Sequence, residues 1–428
     1  MRISTVLWVL FLGVLIFLSF NYHGKAPSFT HRSQIWADKA GYHVYLPFTI
    51  IYGCDANAMP DSIATLTGGG FSIDKEKNIL HTKYTYGVAL MQLPFFLTAH
   101  FLNELLGYEA SGYSRMYNWA IDVSAVVYLV LSLLILSELL IKHNNKKSVY
   151  VGLAFLYLGS NLFYYSIDET GMSHVYSFFL FTLFLGVLEK TNFLKIKSNR
   201  WIIALGVIAG LIVLVRPLNI LILAAFLFWK LDVKEEIGER FKRIIQPKTM
   251  LLLLICFLLV WLPQMIYWKY SEGSYFHYSY GKESFDWSNP QLLKVWFSPS
   301  YGAFLFGSIS LVVLLIAGHK SFQNWNNYGF YLLIFLVLSY ITSCWWSWSF
   351  GCSFGMRNLA EYYALFSFLF VPFIAETMKK NKFIKAMIFI FLVAIVALNI
   401  QISYSYGGCF LGEGDWDFRE YFRLVKTL

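Results

Sequence analysis

The stretch HRSQIWADKAGYHVYLP, residues 31–47, decides how the rest of the chain is read. It follows one hydrophobic segment, residues 3–20, and carries the first acid of the sequence, Asp38. Beyond it the chain reads as apolar scaffold, interrupted by a few polar residues that return to the same side of a bilayer. Asp38 is therefore the first candidate for a catalytic carboxylate at an extracytoplasmic surface.

Composition sets the class. Of 428 residues 57% are hydrophobic and 19% aromatic, and only 14% are charged. A soluble domain carries roughly 25% charge. Apolar runs of about 18 residues or more mark membrane-crossing helices, so the sequence predicts an all-α, polytopic membrane protein. The formal charge of +9 does not indicate nucleic acid. The basic residues lie in short loops between apolar runs, which is the positive-inside pattern. Five cysteines with no CxxC indicate neither a disulfide framework nor a zinc site. Cys344 and Cys352 are a candidate pair if both face an oxidising compartment. Residues 3–20 are too long for a signal-peptide core and no A-x-A site follows, so they read as a retained anchor with Arg2 inside.

Residues 21–84 form the first extracytoplasmic loop. Gly68-Gly69-Gly70 within it reads as a flexible turn. Residues 42–52 and 57–66 are too short to span and read as interfacial helices, with Tyr42, Tyr45 and Tyr52 at headgroup level. Later apolar segments cover 86–107, 116–141, 149–165, 172–188, 201–215, 217–231, 249–268, 301–318, 328–344, 358–377 and 384–403. Placing the basic loops 142–147, 190–200, 230–243 and 379–382 in the cytoplasm puts 162–171, the aromatic loop 269–300, 345–357 and the short tail 404–428 outside. The Arg216-Pro217 break lands outside too. Parity then requires 86–107 to be embedded without crossing, split near Pro94, where proline removes a backbone donor. The expectation is about eleven spans plus interfacial or re-entrant helices, in one membrane domain over residues 1–428.

This topology gathers the unusual polar groups on one side. They are Asp38; His81, Lys83 and Tyr84 at the start of the embedded segment; Asp168, Glu169 and His174; Arg216 in RPLN; and Arg357 and Glu361 in the loop after Trp345. Ionisable groups at membrane depth cost about 2.5–3.5 kcal/mol each on insertion scales, so they are kept near a cavity, a partner or a substrate. Each also has a plain structural reading. Asp38 can cap a helix beginning at Lys39, and Lys83 can snorkel. Asp168 and Glu169 can be a solvated pair, and His174 a packing histidine. Arg357 and Glu361, four apart, can satisfy each other on one helix face. Trp345, Trp346 and Trp348 can form an interfacial belt. A divalent metal held by Asp38, His81, Glu169 or His174 is chemically allowable, though no ligand spacing specifies one.

The pattern WADKAGYHVYLP, HTKYTYGVALMQLPFF, RPLN, the aromatic run from Trp268 to Gly302 and WWSWSFGCSFGMRNLAEYY resembles, in that order, the GT-C superfamily of membrane glycosyltransferases. It is similar to their family 39 and aminoarabinose-transferase type. Two departures stand out: the KPP-type turn reads KYTYG, and the large C-terminal outer domain of some members has no counterpart. The resemblance implies sugar transfer from a polyprenyl-phosphate donor to a glycan, lipid or protein acceptor at the outer face of a bacterial inner or plasma membrane. Asp38 would be the general base for the acceptor hydroxyl. Lys83, Arg216 and Arg357 would hold the lipid phosphate, with Tyr84 and Glu361 beside them. Asp168, Glu169, His174 and His81 would support the site from behind or hold a metal. Two other classes fit the composition. A transporter or flippase for lipid-linked glycans should line a continuous path with charge, whereas these charges cluster at one face. A polysaccharide polymerase or ligase should carry a large arginine-bearing late loop, and here that loop has Arg357 alone.

Overall fold

The computed structural model describes residues 3–23, 29–191, 193–196, 198–230 and 235–426. It is mostly helical, and among the described residues the sheet is a two-stranded antiparallel hairpin, Ser72–Asp74 with Ile79–His81, in register at Ile73 and Leu80. Among the described residues three helices are long and apolar enough to cross a membrane by length and composition: Arg115–Ile141, Pro247–Glu272 and Lys382–Ser405. Pro247–Glu272 and Lys382–Ser405 leave Leu251, Leu259, Ile390 and Phe391 more than half exposed. An apolar row of that kind suits lipid, which needs no polar covering. Shorter apolar helices include Asn199–Val215, Pro217–Phe228, Ile309–Gln323 and Tyr363–Met378.

Several expected spans are broken. Segment 149–165 divides at Gly159-Ser160 into Lys146–Leu158 and Asn161–Ile167. Segment 301–318 becomes helical only at Ile309. Segment 217–231 opens as an eight-residue 3-10 helix, Pro217–Ala224, and continues as Ala225–Phe228. A 3-10 helix rises about 2.0 Å per residue against about 1.5 Å for an α-helix. These twelve residues therefore cover about 22 Å, close to the length of the seventeen-residue Asn199–Val215 helix that precedes them. The segment 86–107 is one unbroken helix, Gly87–Leu105, with Pro94 inside it rather than at a split. The proline forfeits only the bond its N–H would give to the Leu90 carbonyl. The start of this helix meets both the Asn199–Val215 helix and the first loop, and the chain past its other end returns to the first loop. Thr85 donates to the Leu214 carbonyl and Tyr45 to the Tyr84 carbonyl at one end; His43 meets the Gly112 carbonyl and Tyr52 the Ser111 carbonyl just past the other.

The first loop has its own core, in which Ile35, Val44, Phe48, Phe71, Phe96 and Tyr117 pack together. Of the tyrosines expected at headgroup level, Tyr42 and Tyr45 are buried against protein and Tyr52 is half-buried. The Gly68-Gly69-Gly70 turn is also not a flexible link. A Cβ on Gly70 would stand 1.9 Å from the Ala37 carbonyl oxygen, and Gly68, at φ 79°, lies against the Trp36 ring. The Ala37 N–H donates to the Thr67 carbonyl at 2.8 Å. The triplet is thus a close backbone approach that pins the residue before Asp38.

Candidate active site

Asp38 opens the six-residue helix Asp38–His43. The capping position belongs to Ala37, held at φ 48° with no side-chain cap, so the Asp38 carboxylate is not used as a cap. It is about one-third exposed, and Arg357 Nη2 lies 3.7 Å from it. The Arg357 guanidinium in turn rests on the Phe350 ring, 4.7 Å from its centroid. Phe350 has φ 55°, an unusual state for a bulky residue. Residues 357–359 form a 3-10 turn, which breaks the helical spacing that would let Arg357 meet Glu361. The expected Arg357–Glu361 pair does not form.

Glu361 instead anchors a buried cluster. His174 Nδ1 lies 2.9 Å from its Oε2 and Arg216 Nη1 lies 3.3 Å from its Oε1. His174 Nδ1 is also 3.0 Å from Arg216 Nη1, so this nitrogen serves the carboxylate as donor or the guanidinium as acceptor, one at a time. Arg216 donates further to the Asn358 side chain, which donates to Thr342 at 3.1 Å. Glu361 and His174 are fully enclosed while Arg216 keeps 13% of its surface open. The guanidinium is therefore held from behind and presented on one side. The break after Val215 places it there, because Pro217 cannot continue the helix.

Two cavities meet between these groups. The first, about 330 Å³, is mainly apolar and aromatic, with Tyr42, Trp268, Tyr280, Phe285, Trp345 and Phe350 in its wall and Lys83 and Arg216 as its cations. The second, about 520 Å³, is polar and includes Asp38, Gly68, Gly69, Gly70, His81 and Glu272. Lys83, Tyr84, His277 and Ser279 line both. Burial, and then the Asp38 charge, push the Tyr84 phenol well above its ordinary value, so this ring stands as a neutral partition beside the carboxylate. Lys83 lies 3.2 Å from Glu283.

The other expected residues are placed as follows. His81 pairs with Glu272 at 2.9 Å on the rim of the polar cavity. Glu169 pairs with the buried Lys39 at 3.2 Å, and Asp168 lies buried one residue before it. The four side chains offered as metal ligands are thus spread over separate pairings. Among the described residues no three His, Cys, Asp or Glu side chains gather. The Cys344–Cys352 pair is replaced by Cys352–Cys409, which ties the Arg357 loop to the tail; Cys344 is a buried thiol. The tail reaches that loop because Tyr406 donates to the Ser353 carbonyl at 2.7 Å. Trp345 lines the apolar cavity, while Trp346 is exposed.

Sequence reasoning passed over Asn358, Lys39 and Asp122, while Glu283 stood out only as one of the charges of the tyrosine-rich 270–287 loop. Asp122 lies within an apolar helix, accepts from Gln34 at 2.6 Å and Thr170 at 2.7 Å, and so ties the first loop to the 168–174 turn. An acid inside an apolar run was a legible signal.

No family model and no curated protein matches the sequence. Among solved structures, the fold is similar to the Archaeoglobus fulgidus oligosaccharyltransferase in the apo form, with a TM-score of 0.51 and 13% identity over 94% of this chain and 56% of that one. The archaeal oligosaccharyltransferase AglB from Archaeoglobus fulgidus, in complex with an inhibitory peptide and a dolichol-phosphate, matches with a TM-score of 0.48 and 11% identity over the same shares. The chain spans little more than half the length of these proteins. At such identity the likeness describes the fold alone.

Proposed function

We propose that this chain is a membrane glycosyltransferase, of the family 39 and aminoarabinose-transferase type, that moves a sugar from a polyprenyl-phosphate donor to an acceptor hydroxyl. The observation that carries this reading is the shared wall. An apolar chamber with two cations adjoins a polar chamber lined by the carboxylates of Asp38 and Glu272, the latter paired with His81, and Lys83 and Tyr84 belong to both. A lipid-linked phosphate is apolar at one end and anionic at the other, as the first chamber is. Lys83 offers the phosphate a point charge and Arg216 a planar fork. The acceptor enters the second chamber, and Asp38 takes its proton as the oxygen attacks the anomeric carbon. The bond from that carbon to the phosphate oxygen breaks, and the two cations balance the charge left on the phosphate. Attack from the face opposite the phosphate inverts the anomeric centre. Arg357 stands 3.7 Å from Asp38 and gives it a counter-charge. The aromatic wall excludes water that would otherwise take the sugar.

The same reading puts the site at the extracytoplasmic face. In this reading eleven segments cross the bilayer, with the amino terminus inside and the carboxyl terminus outside, and residues 86–107 are embedded without crossing. The test of function is sugar transfer in detergent from a polyprenyl-phosphate donor by the wild-type and Asp38→Asn proteins. Wild-type turnover by a folded Asp38→Asn protein sinks the base assignment. Labelling of Ser198→Cys by an impermeant thiol reagent from outside the cell sinks the topology.

A further inference from the structure

Of the charges at the shared wall, Glu283 has no role in the mechanism above. It reaches Lys83 from a tight turn of the aromatic loop, in which the Glu283 N–H donates to the Tyr280 carbonyl at 3.0 Å and Gly281 has φ 59°. The loop crosses Lys83 by three contacts. The Glu283 carboxylate lies 3.2 Å from the ammonium, Ser279 donates to the Lys83 carbonyl at 2.6 Å, and the Tyr280 ring lies under the ammonium at 5.7 Å from its centroid. Tyr278 donates to the Glu283 carbonyl at 2.6 Å and holds the turn in shape.

The two cations of the apolar chamber differ in how firmly their counterions are fixed. Glu361, behind Arg216, is 1% exposed, and His174 also bonds to it. Glu283, in front of Lys83, is 28% exposed and Lys83 is 35% exposed. An enclosed pair with a third partner stays together, whereas a half-open pair exchanges readily with a competing anion. Lys83 also borders both chambers, so whatever holds it sits in the passage between them.

We infer that Glu283 is an internal stand-in for the donor phosphate. A phosphodiester entering the apolar chamber displaces Glu283 from Lys83, and the aromatic loop is then released from the wall between the chambers. Donor binding thereby precedes acceptor binding, and the acceptor meets the anomeric carbon only after the phosphate is seated. This rests on the polyprenyl-phosphate reading above.

The test uses the full chain in detergent, with a sugar-free polyprenyl phosphate as probe and the corresponding polyprenol as control. Glu283→Gln is isosteric and lies in a half-exposed loop. It should bind polyprenyl phosphate about three- to fivefold more tightly than wild type, the range set by loss of a half-open competing pair. Its polyprenol affinity should not change, and in a Lys83→Ala background Glu283→Gln should make no difference. A wild-type protein that binds polyprenyl phosphate no better than polyprenol overturns the donor reading itself. A wild-type protein that discriminates, with Glu283→Gln binding equally, overturns the inference alone. Release of the loop is read by thiol labelling of Ser279→Cys in a Cys54→Ser background. The labelling rate should rise with polyprenyl phosphate and not with polyprenol; an unchanged rate overturns the displacement.

Discussion

The apolar and polar chambers share four residues but are built differently. In the apolar chamber the working side chain, Arg216, stands at a helix break and is held by three side chains from two other places in the chain: His174, and Asn358 with Glu361. In the polar chamber Asp38 is held by backbone. The Gly70 segment lies against the Ala37 carbonyl, and Ala37 is kept at φ 48° immediately before it. The first construction resists the loss of charge partners poorly and changes of backbone well. The second is the reverse. Substitutions should therefore fail in different ways on the two sides of Lys83.

The largest effect is expected for the one group the polar chamber brings to the chemistry. Asp38→Asn keeps size and shape and removes the proton acceptor, so turnover should fall about 10²- to 10⁴-fold with donor affinity unchanged. Loss of donor affinity in proportion would move Asp38 into donor binding and break the division between the chambers. On the apolar side, Glu361→Ala strands Arg216 and His174 in an enclosed site. Breaking such a pair costs about 3–5 kcal/mol. Thermal unfolding of the detergent-solubilised protein should register it, whereas Asp38→Asn should leave stability nearly intact. Equal stability losses in the two variants would erase the contrast.

The same contrast explains what the sequence made legible. Hydropathy and loop charge led to a helical membrane bundle, and the rarity of ionisable groups in apolar surroundings singled out Arg216, Glu361, His174 and Lys83, which all belong to the cavity walls or stand directly behind them. Their pairings were not legible, because spacing along a helix presumes that a helix is present. Arg357 and Glu361 are four apart on a 3-10 turn, and each bonds elsewhere. Span lengths are blurred in the same way, since eight 3-10 residues let the twelve of 217–228 cover what an α-helix covers with more. In the first loop hydropathy had little to say. Tyr42 and Tyr45 read as headgroup residues because amphipathic tyrosines favour that level, and the small core of the first loop gathers residues as distant in sequence as Val44 and Tyr117.

That core supplies a prediction on the polar side alone. Burial pushes His43 down to about 4, while its Nε2 stays 2.8 Å from the Gly112 carbonyl. A group depressed in the folded state gains its proton first in the unfolded one. Stability should therefore be full above about pH 6.5 and fall as the pH drops toward 4, by up to about 3 kcal/mol from this residue. Other acid-titrating groups add their own slopes, so the measurement is the difference between wild type and His43→Gln across that range. Parallel curves would show that the first loop opens to water before it unfolds.

Gly70→Ala should cost less stability than Glu361→Ala and is the most discriminating. A Cβ at 1.9 Å from the Ala37 oxygen cannot be accommodated by a rotamer change, since both partners are backbone. The Ala37–Asp38 segment must shift, at about 1–3 kcal/mol by analogy with overpacked cores. Asp38 would then lie off the acceptor path while every charged side chain of both chambers remains. Turnover should fall at least tenfold with polyprenyl-phosphate affinity unchanged, since proton abstraction depends on hydrogen-bond reach and donor binding does not. Gly69→Ala is the control, because open space surrounds its Cβ position although its φ of 74° adds some strain. If Gly69→Ala and Gly70→Ala lose turnover equally, the defect is turn strain, and the close approach at Gly70 is not what aims Asp38.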